Sequence, residues 1–243
     1  MSSSSISGST VSNRWLIAIA AFFMQLALGA VYAWSVYLTP VTKVYSVSKV
    51  AGNLTFSILL LAIGVTAGFG GSLNLRYGPR ITATVGGILY GLGVLLAGLT
   101  TGSHNIILLY ITYGIIGGIG VGLAYIVPIA MLVRWFPDRR GFITGLAVAG
   151  FGAGAALIAP LSASVFLPSF GLSQTFIFLG IIYLIIVVIT AQFYRPAPDN
   201  YAPAGWQPLA QSATGIAARN YTFREALSLP RWYLLWLMLA LNT

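Results

Sequence analysis

The residues in this chain able to do chemistry are few, and most of them are aromatic. Its 243 residues include three acids, twelve Lys or Arg, one His and no cysteine, set against 13 Tyr, 13 Phe and 6 Trp. Without cysteine there is neither disulfide nor thiolate chemistry. The three acids and the single histidine are too few and too dispersed for an enzyme, which needs clustered His, Asp or Cys. His104 lies in a short loop with no second ligand nearby, so it reads as a solvated residue, and no metal or cofactor is expected. What remains is non-covalent chemistry. Tyr32 and Tyr125 sit at mid-depth in long apolar runs, where a hydroxyl donates a hydrogen bond and the ring makes a flat wall. Gln25, two turns before Tyr32 on the same helix face, adds a carboxamide that either meets a solute or links helices. For any one of so many aromatics, packing or an interfacial belt is the plainer role.

The elements that hold these residues are membrane helices. Hydrophobic residues make up 58% of the chain and charged ones 6%, against roughly 25% charged in soluble domains. Six apolar segments are long enough to span a bilayer, which takes about 20 residues: Trp15–Leu38, Ala51–Leu73, Ile81–Leu99, Ile106–Val133, Phe142–Leu167 and Leu172–Tyr194. In the fourth, Gly114, Gly118 and Gly122 recur at helical spacing and let a neighbouring backbone come close. The polar stretch 1–13 reads as a cytoplasmic tail, 14–194 as a six-helix bundle, and 195–230 as a cytoplasmic linker. At 231–243 a seventh apolar segment begins but is too short to span, so the sequence reads as cut in mid-helix. Basic residues fix the orientation: Arg14, Arg76, Arg80, Arg134, Arg139, Arg140, Arg195, Arg219, Arg224 and Arg231 fall on one side, Lys43 and Lys49 on the other. By the positive-inside rule the N-terminus is cytoplasmic. The net charge of +9 is scattered between apolar blocks, so nucleic-acid binding is dismissed. The absence of strand-like alternation excludes a β-barrel. Gly150-Phe-Gly-Ala-Gly-Ala155 imitates a dinucleotide fingerprint, but it lacks the preceding strand and the later acid, and helix packing explains it better. Tyr32 and Tyr125 each lie in the first span of a triplet, as expected of three-plus-three repeats.

Several motifs point further. Gly71, Arg76, Gly78 and Arg80 in the loop between the second and third spans resemble the signature loop of the major facilitator superfamily. Leu75 stands where that loop carries an acid. Arg134-Trp-Phe-Pro-Asp-Arg-Arg-Gly141 is more specific. So is its company: Asn13-Arg-Trp15, Tyr32-Ala-Trp34-Ser-Val-Tyr37, Tyr77-Gly-Pro-Arg80, Gly118-Ile-Gly-Val-Gly122 with Tyr125, Gly150-Phe-Gly152, and Leu229-Pro-Arg-Trp232. In this order they resemble the oxalate/formate antiporter family of that superfamily.

The resemblance implies an all-α integral membrane fold. This chain would supply the N-terminal six-helix bundle of a twelve-helix protein, plus the start of a seventh helix. It also implies a secondary transporter that exchanges small carboxylates, such as oxalate, formate or a monocarboxylate, by alternating access across a prokaryotic inner membrane. Tyr32 and Tyr125 match tyrosines that box the substrate, Trp34 and Phe151 join them as candidate contacts, and Phe151 stands where a tyrosine is expected. Arg76, Gly78, Arg80, Arg134, Asp138, Arg139 and Arg140 would lie at the cytoplasmic gate. The partners implied are a small organic anion, the bilayer, and a C-terminal six-helix half that carries the basic counter-charge. No Asp, Glu, Lys or Arg lies well inside a span, so this half shows no proton relay. A carrier of another organic anion, or a scaffold or sensor that does not transport, is the alternative reading.

Overall fold

Two glycines turn this chain where no loop does. The computed structural model describes residues 13–198, 201–203, 225 and 228–241. Four continuous apolar helices in it are long enough to cross a membrane: Arg14–Tyr45, Lys49–Ser103, Ile106–Trp135 and Arg140–Ala191. The second and fourth are long enough for two crossings each. The second leaves helical geometry at Gly78 (φ 82°, ψ 165°) and the fourth at Gly171 (φ 70°, ψ 179°). That region of backbone space is open almost only to glycine. Gly70 and Gly86, equidistant from Gly78, both lie against residues 120–126, so the segments on either side run antiparallel. The result is six crossings: Arg14–Tyr45, 49–77, 79–103, Ile106–Trp135, 140–170 and 172–191.

The six crossings agree with the six expected spans, but their ends differ. The first helix continues past Leu38 to Tyr45, because Val41 and Tyr45 still have buried positions to fill. The loop expected between the second and third crossings shrinks to Gly78 alone. Short side chains cap the starts: Asn13 accepts from the Trp15 amide, Ser48 from Ala51 and Asn105 from Ile107.

Glycine also sets how the crossings pack. Gly114, Gly118 and Gly122 of the fourth crossing lie against Thr55 and Ile58, Leu59 and Ala62, and Ile63 and Thr66 of the second. Gly117 and Gly120, on another face, meet Gly93 and Tyr90 of the third. Gly150 and Gly154 of the fifth seat against Phe22 and Leu26 of the first, which is the packing role expected of that glycine-rich stretch. Buried hydrogen bonds reinforce these seams: the Tyr37 hydroxyl lies 2.6 Å from Ser162 Oγ, and Tyr90 donates to the Ala27 carbonyl at 3.2 Å. His104, expected to be solvated, is exposed, and its Nδ1 lies 2.8 Å from the Val44 carbonyl in the last turn of the first crossing.

The chain divides into two units, Met1–Pro203 and Ala204–Thr243. The tail expected at 1–13 lies outside the described residues except for Asn13, and the linker expected at 195–230 lies mostly outside them. In the second unit Pro230–Leu241 is helical, where the seventh apolar segment was expected.

Candidate functional site

The six-helix packing converges on Phe151. Its ring centroid lies 5.6 Å from Tyr32 and 4.8 Å from Tyr125, and Tyr32 lies 5.9 Å from Phe56. The four rings come from the first, second, fourth and fifth crossings. The contact has a backbone cause: Gly29 seats directly on the Phe151 carbonyl, so Tyr32, one turn later, reaches the Phe151 ring. The helix tightens to 3₁₀ geometry over Ala30–Ala33. Val31 and Ala33 turn inward there, while Tyr32 stays 50% exposed. Tyr125 and Phe151 are half-buried beside it. The cluster offers two phenol hydroxyls and flat ring walls, with no charged side chain at its depth.

Trp34 is not part of this cluster. It is buried, with its ring 4.9 Å from Tyr113 and 6.5 Å from Tyr37, and its indole N–H has no acceptor among the described residues. Gln25 is fully buried, and neither end of its carboxamide is hydrogen-bonded among the described residues. It therefore does not link helices in this structure. A buried carboxamide without partners costs about 1–3 kcal/mol.

The arginine-rich end holds the second group of candidates. Arg14 grips Asp138 with two hydrogen bonds, at 2.7 and 3.1 Å, and Arg139 approaches the same carboxylate at 3.7 Å. The Arg14 guanidinium stands 4.7 Å from the centroid of Phe136, which meets Trp15 edge-on at 5.1 Å. This clamp ties the start of the first crossing to the turn between the fourth and fifth. Arg80 donates to Gln192, just past the end of the sixth crossing, through Nε at 2.8 Å and again through Nη2. Arg76 lies 5.3 Å over the Tyr77 ring. Arg134 lines a cavity of about 590 Å³ beside Gly78, and Arg140 is exposed.

The sequence model of the Major Facilitator Superfamily matches residues 7–243. The chain belongs to that superfamily. Among similar proteins, it is 30% identical over 227 residues to the uncharacterized MFS-type transporter YhjX of Escherichia coli, covering 93% of this chain and 53% of that protein. It is 28% identical over 226 residues to the oxalate:formate antiporter of Oxalobacter formigenes, covering 92% and 51%. It is 30% identical over 148 residues to monocarboxylate transporter 13 of Bos taurus, covering 60% and 34%. The chain spans about half the length of the first two of these curated relatives. Its all-helical fold is that of an N-terminal Major Facilitator half, carried by an integral membrane protein.

Within this Major Facilitator half, sequence reasoning missed three residues. Phe56 completes the aromatic cluster, but a phenylalanine among 13 carries no mark of its role. Gln192 accepts from Arg80, 112 residues away, and Arg14 donates to Asp138, 124 residues away. Arg14 was visible as a basic residue at a span end and within the Asn13-Arg-Trp15 motif, but nothing marked it as the partner of Asp138. The hydrogen bond from Arg14, helped by the charge of Arg139, holds the Asp138 carboxyl below the usual carboxylate range. A lowered folded-state pKa contributes stability above the unfolded value, near 4, that is lost as pH falls through the lower folded value. The clamp therefore stays charged across neutral pH. Asp138→Asn is expected to lower stability at pH 7 by about 1–2 kcal/mol, read as a lower Tm of the intact protein in detergent. The difference from the parent should close as pH drops below about 4, and a difference unchanged by pH would mean that the clamp carries none of it.

Proposed function

We propose that the intact protein is a secondary transporter that exchanges small carboxylates, of the oxalate, formate or monocarboxylate kind, by alternating access. The observation that carries this reading is the cluster of Tyr32, Phe56, Tyr125 and Phe151. It is a ring-walled patch at mid-depth with phenol hydroxyls and without a fixed charge. A flat carboxylate fits between rings and accepts from hydroxyls. The similarity to an oxalate:formate antiporter and a monocarboxylate transporter supports the same substrate class. The counter-charge for the anion is absent from these crossings and belongs to a C-terminal six-helix half outside this chain. Open glycines fit a partner of that kind: around Gly64, Gly68 and Gly71 on the second crossing, and Gly141, Gly145 and Gly152 on the fifth, an added Cβ would meet nothing within 4 Å. The excess of arginine at one end supports a cytoplasmic N-terminus in a prokaryotic inner membrane. Arg76, Arg80, Arg134, Arg139 and Arg140, with Asp138 held by Arg14, make up the cytoplasmic gate region. Phe151 and Leu75 depart from the oxalate/formate pattern and favour, as a second reading, a different organic anion on the same machinery.

The test is counterflow. Liposomes bearing the intact protein and loaded with formate should take up labelled oxalate, or with pyruvate inside take up labelled lactate. Tyr125→Phe, which removes one hydroxyl, should lower kcat/KM about tenfold. If none of these carboxylates exchanges, the carboxylate reading fails, and a protein with no solute flux of any kind would be a scaffold.

A further inference from the structure

Two cavities open at opposite ends of the second crossing, and they carry the same chemistry. At the lysine end, about 730 Å³ is lined by Ser48, Lys49, Asn53 and Ser57, with Leu38 of the first crossing on the far wall. At the arginine end, about 590 Å³ is lined by Ser72, Asn74 and Arg134, with Gly68, Gly71 and Gly78 supplying backbone. Each cavity holds one cation, one carboxamide and at least one hydroxyl, and no acid lines either. Neither cation is engaged: Lys49 and Arg134 have no ion pair or side-chain hydrogen bond among the described residues. Asn74 Oδ1 is likewise buried and without a partner there.

The two cavities are joined by one helix face. Lys49, Asn53 and Ser57 recur four apart, and the same face continues through Gly64, Gly68 and Gly71. Between Lys49 and Ser72 the helix rises about 35 Å, the full depth of a bilayer. All of Lys49, Asn53 and Ser57 are exposed, and around the three glycines the space is open. The aromatic cluster lies between the two ends, with Phe56 contributed by this same crossing.

We propose that these cavities are anion vestibules, one at each mouth of the path, which capture the carboxylate before it reaches the aromatic cluster. Lys49 with Asn53 and Ser57 serves the lysine side, and Arg134 with Ser72 and Asn74 serves the arginine side. The inference rests on the carboxylate-exchange reading. A single exposed cation holds an anion loosely, which suits a waypoint, because a substrate bound too tightly at the mouth does not move on. A cation set in a cleft with low-dielectric walls raises the local anion concentration and the rate of capture. The carboxamide and hydroxyls replace part of the hydration the carboxylate sheds on entry. Each vestibule therefore acts on entry from its own side and not on entry from the other.

The experiment uses the intact protein, reconstituted in phosphatidylcholine liposomes with known sidedness. It reads the KM of the exchanged carboxylate from each side. Lys49→Gln is expected to raise KM about fivefold from the lysine side and to leave the arginine-side KM within about twofold. Arg134→Gln should do the reverse, and Lys49→Arg and Arg134→Lys should restore most of the loss. Raising ionic strength should raise the parent KM but not that of the glutamine variant on its own side, a response that a purely structural role would not give. Equal effects on both sides, unchanged KM, or no recovery in the cationic variants would overturn the vestibules while exchange by the parent stands. An effect that appears only when anionic lipid is added would assign both cations to lipid headgroups and overturn the proposal. If the parent exchanges no carboxylate, the substrate reading and this inference fall together.

Discussion

Replacing Gly29 by valine is expected to leave little folded protein to assay. A Cβ at this position would fall 1.7 Å from the Phe151 carbonyl oxygen, 2.5 Å from its carbon and 2.8 Å from its Cα. All three are backbone atoms of the fifth crossing. Overpacking usually costs about 1–3 kcal/mol because neighbouring side chains can rotate away. Here the neighbour is a helix backbone, and it yields only if the first and fifth crossings separate. Gly154 is seated in the same way, with an added Cβ 2.1 Å from the Leu26 carbonyl oxygen, so the seam cannot shift along its length to make room. Separation would break the buried Tyr37–Ser162 hydrogen bond and lift Tyr32 off Phe151. The loss should exceed about 4–5 kcal/mol, a large part of the roughly 5–15 kcal/mol that holds a typical domain together. The measurement is the monodisperse fraction of the intact protein on size exclusion in detergent, with Tm for whatever survives. Gly152→Val is the control: an added Cβ there meets nothing within 4 Å, and the variant should elute like the parent. A monodisperse Gly29→Val with the parental Tm would mean that the first and fifth crossings do not meet at this point.

The six crossings were legible in the sequence because apolar runs of membrane length leave little choice, and the glycine ladder Gly114, Gly118 and Gly122 declared a face for close approach. What the ladder could not declare was its partner. The second crossing takes that face, while Gly117 and Gly120 of the same helix go to the third, and only the folded arrangement shows this division. The candidate site was legible in the same partial way. Tyr32 and Tyr125 stand in the first crossing of each triplet, and the structure brings both to one ring, Phe151. Trp34, two residues after Tyr32, goes instead into the interior. Two residues along a helix point to nearly opposite sides, and the 3₁₀ stretch at Ala30–Ala33 decides which of them looks out. Hydropathy does not distinguish a tyrosine that lines a path from a tryptophan that fills a core. The Arg14–Asp138 clamp was illegible for another reason: its members are 124 residues apart, and no local pattern links them. Leu75 is exposed at the position where the superfamily's loop motif carries an acid, while Asp138 is an acid held at that end, by Arg14.

Gly68→Leu is expected to do the opposite of Gly29→Val and leave the fold intact while stopping transport. An added Cβ at Gly64, Gly68 or Gly71 meets nothing within 4 Å, so no contact inside this half is disturbed. A glycine facing lipid, however, gains nothing: it exposes backbone and packs poorly against acyl chains. In membranes small residues are useful where another helix comes close. Two such tracks remain uncovered in these crossings, and the second six-helix half proposed above is an occupant that they would fit. A leucine side chain at Gly68 would stand in the gap across which the two halves must approach and part. Exchange by the intact protein should fall by more than about tenfold, since a smooth helix face is what permits approach at backbone distance. Tm and elution should stay close to the parent. Gly68→Ala, with a single methyl, should retain most of the flux. The paired readout separates the possibilities: lost flux with an unchanged Tm supports a sliding interface, and normal flux in both Gly64→Leu and Gly68→Leu would turn this face of the second crossing toward lipid and require the path to be sought along another.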